Sequence, residues 1–174
     1  MKKAQPFLFF LLVIVLHTSC KKDESEPSTE DLLAAHVWIG QTSSYNASIQ
    51  GLNVETDTLN TDSTAIEFKK ESKKLIFYTR QPSNGVLTEI SQQTYTLSNN
   101  DKTISVASVE ELLGGEFGYL ADSLGITPPT SIDIEKINNE ELILKGQFQQ
   151  NISVPDFPFP VPLIVSYRFV YKAN

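Results

Sequence analysis

Phe157-Pro-Phe-Pro-Val-Pro-Leu-Ile-Val-Ser-Tyr-Arg-Phe-Val-Tyr171 keeps its odd-numbered positions apolar or aromatic from Phe157 through Val161, Leu163, Val165, Tyr167 and Phe169 to Tyr171. Alternate residues of a strand share one face, so this parity predicts a long strand with a continuous apolar side. Pro158, Pro160 and Pro162 all fall on the even positions, with Arg168 and Lys172. Each proline lacks a backbone donor, and all three would withhold it from the same neighbour. The expectation is an edge strand blocked on one side, with a bend near Pro162, because fifteen extended residues would span roughly 50 Å. The functional alternative is that Phe157 and Phe159 project as an extended arm that contacts a partner.

Working outward, alternation and turn residues predict three hairpins. They are Thr64–Phe68 with Leu75–Thr79, Gln93–Leu97 with Lys102–Val106, and Ser131–Ile137 with Glu141–Lys145. Val37-Trp-Ile39 opens the domain and Ser166–Lys172 closes it. Short strands joined by polar turns imply an antiparallel barrel or a two-sheet β-sandwich. One segment departs from this rhythm. Val109, Leu112, Leu113, Phe117, Leu120 and Leu124 fall on a helical stripe, Ser108 and Glu111 have capping-box spacing, and Gly125 stands where a helix would end. A helical insert around 109–124, flanking or plugging the barrel, is expected.

The amino terminus reads Met1-Lys-Lys, then the apolar run Phe7–Leu16, then Thr18-Ser-Cys20. That run is too short to cross a bilayer, which takes about 20 helical residues, and it has the form of a secretory signal. With Cys20 at its end, the segment resembles a bacterial lipoprotein signal. The resemblance implies a signal peptide over 1–19, acylation of Cys20 (for instance by palmitate) and attachment to the outer membrane. Lys21-Lys-Asp-Glu-Ser25 is similar to the surface-export signal of Bacteroidetes-type lipoproteins, which implies display at the cell surface. Residues 20–30 read as a flexible tether and 31–174 as one domain.

Loss of Lys2 and Lys3 with the signal takes the net charge from −7 to −9. That balance argues against nucleic acid as a partner. Cys20 is the only cysteine, so no internal disulfide is available. The domain carries one histidine, His36, and no nucleophile-elbow motif, which leaves little from which to assemble catalysis; no enzyme, metal or cofactor is expected. Glu55–Ser63 offers spaced oxygens but lacks the glycine and terminal glutamate of a calcium loop, and reads as a solvated loop. Within it Asp57-Thr58-Leu and Asp62-Ser63-Thr resemble O-glycosylation acceptors of Bacteroidetes envelope proteins, as does Asp122-Ser-Leu124.

Taken in order, the early Trp38, the Thr94-Tyr-Thr-Leu-Ser-Asn-Asn-Asp-Lys-Thr-Ile104 pair, the Asn138-Asn-Glu-Glu-Leu-Ile-Leu144 strand and the closing Tyr167-Arg-Phe-Val-Tyr-Lys172 resemble the lipocalin-like (calycin) lipoproteins of Bacteroidetes. The resemblance implies an eight-stranded up-and-down barrel, able to hold one small ligand or to be filled by its own side chains. Two functions remain open. One is binding of a small apolar or glycan-like ligand inside the barrel, against Trp38, Phe68, Phe77, Tyr95 and Phe148. The other is a non-enzymatic scaffold or accessory subunit with a filled barrel, meeting an envelope protein through Phe157 and Phe159.

Overall fold

The computed structural model describes residues 26–81, 83–112, 125–153 and 158–174. Cys20, Phe157 and most of the expected helical insert lie outside them. The described chain is almost all β: a short helix α1 (Thr29–Ala34) precedes β1 (Val37–Ile49), β2 (Leu52–Asn60), β3 (Thr64–Lys69), β4 (Lys74–Arg80), β5 (Leu87–Thr94), β6 (Thr96–Ser98), β7 (Thr103–Ser105), β8 (Ser131–Ile137), β9 (Glu141–Ile152) and β10 (Val161–Ala173).

The strands form one antiparallel sheet in the order β5-β4-β3-β1-β10-β9-β8-β7-β6, with β2 also on β1. Two interruptions simplify it. β2 and β3 run successively along the same edge of β1, Asn60 pairing with Thr42 and Ala65 with Ile39. β5 and β6 are separated by Tyr95 alone: Thr94 pairs with Lys74 of β4, and Thr96 with Ser105 of β7. Joining each broken strand turns ten strands into eight in up-and-down order, and the two ends of the path become one strand. The result is a nearly closed barrel. Below the Tyr95 crossover the seam is held by a side chain, because Gln93 Oε1 accepts from Ala107 N and Ser108 N while its Nε2 donates to Ser108 O.

The three expected hairpins pair as β3–β4, β6–β7 and β8–β9, but in the second only Thr96 and Leu97 of the expected Gln93–Leu97 strand pair with β7, Gln93 and Thr94 pairing with β4 instead. The odd residues of β10 from Val161 to Tyr171 are all buried, and the even ones are more open. The edge-strand expectation is overturned: β10 pairs with β1 on one side and β9 on the other. Its prolines avoid conflict by position. Pro158 and Pro160 precede the strand, and Pro162 lies at its start, where its carbonyl accepts from Gln50 N and the ladder to β1 begins only at Leu163. One exposed edge is β2 instead, paired to β1 alone among the described residues and carrying Glu55 and Asp57. Charge, not proline, guards that edge.

Glu55–Asn60 is therefore a strand and not the expected loop. It was hidden because neither of its faces packs on the core, so no apolar alternation marks it. Its partner β1 bends at Gly40, where a Cβ would lie 2.3 Å from Thr61 O; only glycine lets β1 cross the β2–β3 break so closely. Of the expected insert, Glu110–Leu112 are helical and Ser108 Oγ accepts from Glu110 N.

Candidate functional site

One end of the barrel is closed by α1. Ser28 and Asp31 form a reciprocal capping box, which lets six residues hold a helix that would be too short to persist alone. The expected tether thus ends earlier, at the cap. α1 packs on β3 and β8 and buries Leu33 completely, and the indole Nε1 of Trp38 donates to Leu33 O at 2.9 Å. The β3–β4 turn clasps α1 from outside: Lys70 pairs with Asp31 at 2.6 Å and Lys73 pairs with Glu30. Lys70, with Ser28, holds the Asp31 carboxyl at about 2. Lys73 likewise lowers Glu30, which also accepts from the Tyr95 hydroxyl at 3.1 Å. Burial is the main reason the Tyr95 phenol is pushed well above its ordinary value.

Four of the five residues expected to face a ligand do point inward, but toward each other. Trp38, Phe68, Phe77 and Tyr95 are 0, 1, 3 and 1% exposed. Phe68 and Tyr95 meet edge to face at 5.2 Å. Phe148 is half-buried against Tyr167 near the other end, with ring centroids 6.4 Å apart. Val109 and Leu112 add to the same core. A cavity of about 130 Å³ remains, lined by Phe77, Ser43, Leu112, Phe169 and Tyr171 among others, and it touches only Phe77 of the five. Pockets for small ligands run to about 300–1,000 Å³.

The opposite end is an apolar rim. Leu52, Val54 and Phe159 are 73, 56 and 76% exposed. The ladder joins Leu52 to Ile49 and Ile49 to Leu163, four residues past Phe159, so the β1–β2 and β9–β10 tips are neighbours. Phe159 is where sequence reasoning placed a partner contact; Leu52 and Val54 were missed because single apolar residues in a polar run carry no periodic signal.

A larger depression, about 550 Å³, lies on the outside of the sheet and is lined by Ser44, Asn46, Thr56, Asp133, Lys145, Gln147, Ser166 and Arg168 with neighbouring backbone. None of these was expected from sequence to bind a ligand; Thr56 was read within the Glu55–Ser63 loop. Their only signal was parity: Ser166 and Arg168 are the polar half of the β10 alternation. Arg168 pairs with Glu135 at 2.9 Å. Thr58 and Ser63 are both exposed, and no cluster of metal-ligating side chains occurs among the described residues. No helix there is long and apolar enough to cross a membrane. Compared with family models, curated proteins and solved structures, the chain matches none.

Proposed function

We propose that this chain is a lipid-anchored, surface-displayed outer-membrane lipoprotein that works as a non-enzymatic adaptor with a filled barrel, meeting an envelope protein at the Leu52–Val54–Phe159 rim. The observation that carries this reading is the packing of Trp38, Phe68 and Tyr95, each at most 1% exposed, where a carried ligand would need space. A small apolar ligand inside the barrel is the second reading, supported only by the cavity of about 130 Å³ beside Phe77.

Geometry adds an orientation. The tether from Cys20 to Ser28 reaches at most about 30 Å, and it enters the barrel at the α1 end. β1, with 13 residues, runs from that end to the rim, about 43 Å at 3.3 Å per residue. An anchor at Cys20 thus holds α1 toward the bilayer and presents the rim away from it.

The test is photo-crosslinking in cells, with a benzophenone amino acid at Phe159 or Val54 and at Glu89 as a control, alongside labelled palmitate to follow Cys20. Adducts to one protein from the rim positions alone, with label lost in Cys20→Ser, are expected. Absence of a rim adduct, together with an apolar small molecule retained through native purification, would reverse the order of the two readings.

A further inference from the structure

The outer depression is built from two rows of side chains that the ladder aligns across the sheet. One row runs Gln147–Ser166–Asn46–Thr56 over β9, β10, β1 and β2. The next runs Asp133–Lys145–Arg168–Ser44 over β8, β9, β10 and β1. These residues face away from the core, so folding did not require them to be of this kind. We propose that this groove binds a neutral, polyhydroxylated ligand, an oligosaccharide.

Three observations support the ligand class. The groove's volume of about 550 Å³ lies within the range of small-ligand sites, whereas the interior cavity does not. Its chemistry is mixed: lysine and arginine donate, aspartate accepts, and the amide and hydroxyl side chains do both, as a sugar hydroxyl requires. Its lining sets Lys145 and Arg168 against Asp133, and Arg168 is already engaged by Glu135 beside the groove, so little positive charge is left to attract an anion.

Asn46 Nδ2 donates to Thr56 Oγ1 at 2.7 Å, which fixes that amide at the groove's edge. The side chains of Lys145, Gln147 and Ser166 have no hydrogen-bond or ion-pair partner among the described residues, so three adjacent polar groups are free to engage a ligand. Gly146 lies between the two rows on β9 and is part of the lining.

The full chain in detergent micelles would be titrated with cellohexaose, chitohexaose, xylohexaose and hexagalacturonate while the amide side chains of Asn46 and Gln147 are followed by NMR. At least one neutral probe should shift both signals saturably, with a dissociation constant between about 10 μM and about 1 mM. Gln147→Ala should weaken that binding about tenfold at unchanged melting temperature, by removing hydrogen bonds made only to the ligand. Ser166→Tyr, which fills the groove, should abolish it. Saturable binding of hexagalacturonate alone, no saturation by any neutral probe, or binding indifferent to both variants would overturn the assignment. Crosslinking at Phe159 is unaffected by any of these results, so the groove and the rim fail separately.

Discussion

Truncating Leu33 to alanine removes the one side chain by which α1 enters the barrel. Leu33 is fully buried, and its carbonyl holds the Trp38 indole. Alanine is the better helix former, so the substitution leaves helix propensity and that backbone hydrogen bond intact and isolates packing. Leucine-to-alanine changes at such sites cost about 2–4 kcal/mol. The ion pair of Lys70 with Asp31 is exposed and that of Lys73 with Glu30 is partly so, and screening leaves such pairs little to compensate with. For a domain of this size the loss corresponds to a fall of about 5–12 °C in melting temperature. The assay is thermal unfolding followed by circular dichroism and by the emission of Trp38, the chain's single tryptophan. The variant should melt earlier and its emission should shift to the red before the sheet unfolds, as α1 detaches. A melting temperature within about 2 °C of the parent, with unshifted emission, would refute the view that α1 closes the barrel.

Gly40→Ala should destabilise by about 2–3 kcal/mol, since its Cβ would meet the Thr61 carbonyl, main chain that cannot swing aside; urea unfolding measures it. In Gly146→Ala the nearest obstacle is the Tyr167 ring, at 2.3 Å from its hydroxyl, so Tyr167→Ala in the same chain should recover part of the loss, a rescue that Gly40→Ala has no equivalent for. The Asp31 carboxyl is lowered from 3.8 to about 2, so folded protein resists its protonation; the stability it contributes is complete above about pH 4 and drains away as pH falls toward 2. Glu30 shifts in the same direction. Acid titration of Trp38 emission should show α1 loosening through that window, and Asp31→Asn should show a weaker pH dependence.

The parity of residues 161–171 was enough to place the inward face of β10, because a two-residue period is written in the chain whenever one side of a strand is buried. The hairpins at Ser98-Asn-Asn-Asp101 and Asn138-Asn-Glu140 were legible for a related reason: residues suited to positive φ or to turn hydrogen bonds are local signals, and Asn99, Asn100 and Asp101 all have positive φ. The inward direction of Trp38, Phe68, Phe77 and Tyr95 followed from the same patterning. Whether they leave a hollow did not, because volume depends on which side chains meet across the barrel.

Other features had no local trace. β2 has polar residues on both faces and is a strand only because β1 offers it an edge. α1 is six residues long, and the lysines that clasp it lie about 40 positions away in the chain, at separations of 39 and 43. Edge or centre, the question posed by the prolines, was settled by barrel closure, since a strand becomes interior when the first strand returns to its other side. The sequence by itself determined which residues turn inward and where the chain reverses, through periodicity and turn chemistry. Only the tertiary structure decided which strand keeps a free edge, that Trp38, Phe68 and Tyr95 are packed in the core, and that Lys145, Gln147, Ser166 and Asn46 share one groove, because those depend on register between segments as far apart as Asn46 and Ser166.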